Sequence, residues 1–340
     1  MFLLPRLAPT AVLLTLLLPA PATPAAPYPN LSAALGAAQR NGSWYRRCME
    51  VRRAAAPAAE GMAATPPCDA MALYDAALDA GGSADWQRVR ACALQPPQPA
   101  VLMMLYANGD GVATDLALAT KFACSIESSP AEMLARVERL RRLRPPARLD
   151  VCSDAGSAAG LATCAARQER RRDAARSATL SLLSRQWSTK AQAALSVAAA
   201  AARAFAERRA EDETDHAGAG GALQTETLAS ELERFTSDIA DFDKGRLPRG
   251  TEAEYRVLEA EMDAAYQRFL HTPPAPDAYL GGIRKSGVER TQRAFLAYRD
   301  AMEMLGSVRY PAVPGAAWRA LLTHRRLRQL TGLADAAAGR

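Results

Sequence analysis

Residues 291–305 read TQRAFLAYRDAMEML and set Gln292, Arg293, Arg299 and Asp300 beside Phe295, Tyr298 and Met302. Amide, guanidinium and carboxylate groups at this spacing can do two kinds of work. They can grip a ligand, or they can lock a helix to its neighbours. On a helix, Phe295, Tyr298 and Met302 share one stripe aimed at a core. Arg299 follows Phe295 by about one turn and borders that stripe. There its methylenes can lie on apolar surface while the guanidinium pairs with a carboxylate. Glu259 and Asp263, upstream, are mates of the right type. Arg293 and Asp300 are two turns apart on one side and can brace each other or neighbouring helices. The spacing favours the structural reading over a ligand site.

The one dense acidic run is Glu211-Asp212-Glu213-Thr214-Asp215, at the end of a helical stretch and beside a Gly-rich segment. Carboxylates at a helix C-terminus oppose the helix dipole. A locally unfavourable choice of this kind sometimes marks a functional site; the plain alternative is a solvated helix end. Glu211, Asp212, Glu213 and Asp215 are therefore candidate partner contacts. No G-x-S-x-G elbow, H-E-x-x-H zinc helix or phosphate-binding glycine loop is present. A peptidoglycan hydrolase needs an acid and a base carboxylate in one cleft, and no pair is singled out by its surroundings. The sequence predicts no enzyme and no cofactor.

Six cysteines, Cys48, Cys68, Cys92, Cys124, Cys152 and Cys164, all lie before residue 165. An even count in an exported chain predicts disulfides. Pairing of neighbours, 48–68, 92–124 and 152–164, is the simplest of fifteen connectivities. No CxxC pair exists, and His216, His271 and His324 stand far apart, so no metal site is predicted. Export is read from the N-terminus, where Arg6 precedes an apolar run and Ala20-Pro21-Ala22. This is a secretory signal over 1–22. Its apolar run is too short for a bilayer span, which takes roughly 20 residues. An exported bacterial protein, periplasmic or secreted, with no transmembrane segment in the mature chain, is expected. The net charge of +6 suits anionic cell-surface polymers, and export argues against nucleic acid.

Several elements must position these groups. Of 340 residues, 49% are hydrophobic but only 6% aromatic, which with abundant alanine favours close-packed helices over sheets. Residues 23–43 read as a Pro/Ala-rich linker. Residues 44–150 read as short helices, among them 71–80 and 85–94. In VLMMLYANGDGVATDLALATKFAC, residues 101–124, a helix ends at Tyr106 and Asn-Gly-Asp-Gly turns the chain. Thr114 or Asp115 then caps a second helix. Residues 136–149, RVERLRRLRPPARL, carry six arginines, a solvated helix face or a patch for an anionic partner. Pro145-Pro146 breaks the helix and marks a boundary. Beyond the 152–164 cysteine loop come five stripes at 3/4 spacing. They begin at Trp187, Leu228, Tyr255, Val288 and Trp318, with Pro or Gly between them. The fold class is all-α: a disulfide-tied short-helix region, then an antiparallel bundle of long helices over 151–340.

Two resemblances follow from particular residues. Met104, Tyr106, Gly109, Gly111, Val112, Asp115, Ala119 and Phe122-Ala123 resemble the SEL-type repeat, a relative of the tetratricopeptide repeat. The resemblance implies one antiparallel helical hairpin over about residues 99–135. A binding array needs about three copies. The C-terminal half resembles the LprI-type lysozyme inhibitor family of exported bacterial proteins. Gln292, Arg293, Phe295, Tyr298, Arg299 and Asp300 match its Q-R-x-W-L-x-Y-R-D motif. Thr323, Arg326 and Leu330 match its closing T-x-x-R-x-x-x-L, and residues 259–266, EAEMDAAY, match its D-x-x-L-N-x-x-Y. Phe295 stands where Trp is usual, Glu259 and Asp263 replace Asp and Asn, and no cysteine follows Cys164. The resemblance implies a protein-binding protein whose partner is lysozyme. Common lysozymes are basic, so the contact is expected to be acidic, which points to the 211–215 run. The alternative is a periplasmic interaction scaffold that holds its partner through the N-terminal half; a cell-wall-active enzyme is the weakest reading.

Overall fold

The computed structural model describes residues 27–31, 37–55, 57, 68–215, 220–272 and 283–338. The expected signal peptide lies outside these residues. The described chain is helical, with one isolated bridge between Leu31 and Ser128 and no strand among the described residues. None of its helices is long and apolar enough to cross a membrane.

The short-helix region comprises α1 (Ala37–Arg40), α2 (Ser43–Val51), α3 (Ala70–Ala80), α4 (Trp86–Leu94), α5 (Pro99–Asn108), α6 (Leu116–Ser125) and α7 (Pro130–Arg142). Side-chain caps start most of them. Asp69, Asp85, Asp115 and Ser129 each accept a hydrogen bond from the first turn of the helix they precede. The α5–α6 hairpin forms as the Gly-rich turn predicts, although α5 runs on to Asn108 and ends with Gly109 in the left-handed region at φ 76°. Gly111 has φ 66°, and a Cβ there would overlap the Trp86 side chain. Only glycine fits on both counts. Val101 to Ala107 are all buried, so α5 forms the centre of this core, with Tyr74, Phe122, Leu140 and Leu149 around it.

Three disulfides tie the region: Cys48–Cys124, Cys68–Cys92 and Cys152–Cys164. Neighbour pairing holds only for the last. The first two exchange partners because α2 packs across α6 and α3 packs against α4, which spatial contact decides and sequence distance does not. The linker expected over 23–43 also needs correction. Tyr28 Oη donates to Cys48 O at 3.0 Å, and Asn30 N donates to Cys124 O at 2.9 Å. Residues 27–31 are therefore pinned against the Cys48–Cys124 cluster, and α1 and the start of α2 fall inside the same span. The arginines of 136–149 are not one free patch. Arg136 is buried and donates to Ser128 Oγ at 2.6 Å, while Arg148 Nη2 donates to both oxygens of Asp110 at 2.8 and 2.7 Å.

The bundle comprises α8 (Ala158–Ser184), α9 (Thr189–Asp212), α10 (Gly220–Asp243), α11 (Glu252–His271), α12 (Lys285–Arg309) and α13 (Gly315–Ala337). Ser157, Ser188 and the Thr251/Glu254 capping box start α8, α9 and α11. α10 packs on both α8 and α9, α12 on α9, and α13 on both α11 and α12. The five stripes supply the core, with Trp187, Phe205, Phe235, Ile239, Phe242, Phe269, Phe295 and Trp318 all buried. No disulfide links one bundle helix to another, since Cys164 of α8 is bonded back to Cys152, so packing and ion pairs hold the bundle.

The two halves meet along α8, not at residue 150. Val151 and Cys152 belong to the N-terminal core, and Arg167 reaches back to Asp75 and Asp150 at 2.5–3.0 Å. Arg170 and Arg171 face Asp69 and Asp79 of the same region. One position on, Arg172 pairs with Glu226 at 3.2 Å and Asp173 with Arg203 at 2.5 Å, both in the bundle.

Candidate functional site

α12 and α13 bring the separated polar segments of the sequence into one buried constellation. Gln292 lies about one turn before Phe295 on α12, and Arg326 lies one turn after Leu322 on α13. Both positions are carried inward by the apolar residues beside them. Gln292 Oε1 accepts from Arg326 Nε at 2.9 Å, and Gln292 Nε2 approaches Met262 Sδ at 3.7 Å. Arg326 is fully buried. Its Nη1 and Nη2 donate to the two oxygens of Glu213 at 2.8 and 2.6 Å, and Nη1 also to Gln329 Oε1 at 3.2 Å. Its guanidinium carbon lies 5.7 Å from the Phe205 ring centre. A charge is tolerated this deep only when paired and hydrogen-bonded, and the two-pronged arginine–carboxylate geometry supplies both.

This geometry corrects the reading of the acidic run. Glu213 is the internal counter-charge of Arg326, its side chain 2% exposed. Asp212 is also turned in: it pairs with Arg290 at 2.5 Å, and a Cβ on Gly287 would lie 3.0 Å from it. Glu211 and Asp215 alone of the four remain exposed, and Glu211 pairs with Arg208 at 2.8 Å. The four carboxylates do not form one partner contact. The unfavourable charge at the end of α9 is offset by arginines of α12 and α13.

The remaining motif residues take structural places. Phe295 and Tyr298 each lie 5.8 Å from Phe205, and Leu330 is in the core. Burial first, and then the Asp238 charge, holds the Tyr298 phenol far above its usual range. Thr323 is fully buried with no hydrogen-bond partner at Oγ1. Arg299 Nη1 donates to Glu259 at 3.2 Å, and the guanidinium lies 5.7 Å from the Tyr255 ring centre. Tyr255 donates to the same carboxylate; burial and this bond push its phenol up to about 12. Asp263 is left out of the pair. Partial desolvation and the adjacent Glu259 charge raise its carboxyl above the ordinary value, with Arg299 pulling the other way. Arg293 and Asp300 are exposed and no ion pair joins them; Asp300 sits 3.6 Å from Arg299 Nε.

Other charged residues surround this constellation. Glu231 on α10 accepts from Arg209, from Arg234 at 2.9 Å and from Gln329 at 2.9 Å. Asp238, two turns further on, receives both Nη groups of Arg325, one of them at 2.8 Å. The sequence reading missed all of these. The available signal was position: Glu231 and Asp238 sit one residue before Leu232 and Ile239 of the α10 stripe, at the edge of its buried face.

Among the surface hollows of the bundle, two differ sharply in lining. One, about 660 Å³, lies between α11 and α13 and is lined by Ala253, Glu254, Val257, Leu258, Leu321 and His324 among others. The other, about 490 Å³, lies between α9, α10 and α13 and carries Arg209, Arg234, Arg325 and Arg328. Among the described residues no group of three His, Cys, Asp or Glu side chains is placed to hold a metal ion. His271 and His324 are exposed, and His216 lies outside the described residues.

Fold and geometry define an all-α, disulfide-bonded protein whose bundle is cross-braced by internal arginines. No protein-family model, curated protein or solved structure matches the chain.

Proposed function

We propose that this chain is an exported protein-binding protein that inhibits lysozyme, and that it does so through the groove between α11 and α13. Three disulfides support an oxidising compartment. The hydrogen bond between Gln292 and Arg326 supports the family resemblance, because it joins two motifs 34 residues apart into one unit.

The observation that carries the proposal is the outer face of α11. Val257 is 58% exposed beside the partly buried Leu258 and the apolar floor of the groove. Glu254 and Glu261 lie one turn to either side on the same face. The helix as a whole carries five carboxylates, Glu252, Glu254, Glu259, Glu261 and Asp263, against two arginines. On a chain of net charge +6, an exposed apolar groove that has Arg249 at one end but Glu254 and Glu261 along its α11 edge offers that edge to a basic protein. The rival scaffold reading has less support. The α5–α6 hairpin that would carry it has α5 buried on every side, so that helix offers no free binding face.

The test uses oxidised protein lacking residues 1–22. Dose-dependent slowing of cell-wall digestion by lysozyme is expected, with saturable binding. Val257→Arg combined with Glu261→Lys should weaken that binding roughly tenfold or more, since it places charge in an apolar contact and reverses a steering charge. Failure to bind any of several lysozymes would end the inhibitor reading. Binding that survives the double substitution would move the contact off α11.

A further inference from the structure

The basic hollow between α9, α10 and α13 has a different chemistry from the α11–α13 groove. Four guanidinium groups from three helices line one open space of about 490 Å³: Arg209 from α9, Arg234 from α10, and Arg325 and Arg328 from α13. Like charges gather this way only when something holds them, and the structure shows what does. Glu231, buried beneath the hollow, bonds to Arg209 and Arg234. Asp238, also buried, grips Arg325 with both oxygens. Gln329 is fixed between Glu231 and Arg326, to which it donates and from which it accepts.

Two features are left over once the internal pairs are counted. Arg328 is exposed and has no carboxylate partner among the described residues. Arg209 Nε is buried with no hydrogen-bond acceptor among the described residues, and Glu213 lies 3.7 Å from it. With Arg326 and the Glu213 it shares with Arg209 included, five guanidinium groups face three carboxylates, Glu213, Glu231 and Asp238, an excess of two positive charges. Arginine donors in fixed forks match the oxygens of tetrahedral anions.

From this placement we infer that the hollow is a binding site for a compact dianion of the phosphomonoester type, with the exposed Arg328 and Arg234 as its outer clamp and the more buried Arg209 and Arg325 as its floor. Glu231 and Asp238 act behind the arginines, orienting them without touching the ligand. Such a group can reach the site free in solution or on a lipid headgroup, and the chemistry of recognition is the same.

The test measures binding of inorganic phosphate to the full oxidised chain by calorimetry, and retention on phosphatidylcholine vesicles doped with phosphatidic acid. Arg328→Gln is the informative variant, since the residue is exposed and outside every internal pair. Arg268→Gln, which removes one charge from the exposed surface of α11, is the control. Circular dichroism checks that both remain folded. Saturable phosphate binding at about 1 mM or tighter, weakened roughly tenfold by Arg328→Gln and unchanged by Arg268→Gln, is expected if the source is soluble. Retention on the doped vesicles without phosphate binding, lost in Arg328→Gln and kept in Arg268→Gln, assigns the same site to a headgroup. Binding in neither arm, or equal weakening by the two substitutions, overturns the inference.

Discussion

Taking away Arg326 leaves Glu213, its side chain 2% exposed, with only the long 3.7 Å contact to Arg209 to balance its charge. Breaking a buried pair from one side costs about 3–5 kcal/mol, so Arg326→Met should lower the urea midpoint sharply. Arg326→Lys should not restore it, because an ammonium cannot reproduce the two-pronged bond to Glu213 while also reaching Gln292. Adding Glu213→Leu to Arg326→Met should recover most of the loss, since a paired apolar replacement is often close to neutral. If the double variant is as unstable as the single one, the pair does more than balance charge. Asp263 offers the opposite case. Its raised carboxyl means that the folded chain favours the proton. The ionised form is a penalty that is absent below the ordinary value of 3.8 and complete above the folded value. Asp263→Asn should therefore raise the urea midpoint at pH 7, and the gain should vanish as the pH falls below 3.8. Arg326 and Glu213 show what a sequence conceals at this scale. Arg326 stood out by its motif, but its partner lies 113 positions away, and a carboxylate bound for the interior has the same letter as a solvated one.

Helices were legible because apolar residues recur at the helical period, and all five stripes of the bundle reappear in or against its core. A helix start was legible where a side chain caps it, at Asp115; the capping box at Thr251 went unread. What the period does not encode is how closely two helices approach. Gly306 on α12 is such a place: a Cβ there would overlap the Trp318 indole on α13. In an isolated helix, Gly306→Ala would add about 1 kcal/mol of stability. Forcing an extra carbon into a packed core costs about 1–3 kcal/mol. The second effect should win, and urea unfolding of the variant should show a net loss. A net gain would mean that the α12–α13 contact yields more readily than its geometry implies.

At the scale of the molecule, cysteine count announced disulfides but not their partners, because pairing is decided by which helices cross. The consequence is measurable. Cys48–Cys124 closes a separation of 76 residues and Cys152–Cys164 one of 12. On loop-closure entropy alone the longer link should stabilise by roughly 1.6 kcal/mol more. Replacing each pair by alanines and comparing denaturant midpoints tests that order; equal losses would show that native contacts, not loop length, set the value. The boundary between the halves is blurred for a related reason. Pro145-Pro146 was visible, but α8 is a continuous helix that takes part in both halves, and a helix without a break gives no boundary signal. Its arginines divide at one peptide bond, with Arg171 facing the disulfide-tied region and Arg172 the bundle. Each residue of an α-helix turns its successor by about 100° and advances it about 1.5 Å. The relative azimuth of the two halves is thus stored as a whole number of residues along one rod. A single insertion between Arg171 and Arg172 would rotate one set of ion-pair partners by about a quarter turn against the other, whereas seven added residues, about two turns, would bring them back to within about 20°.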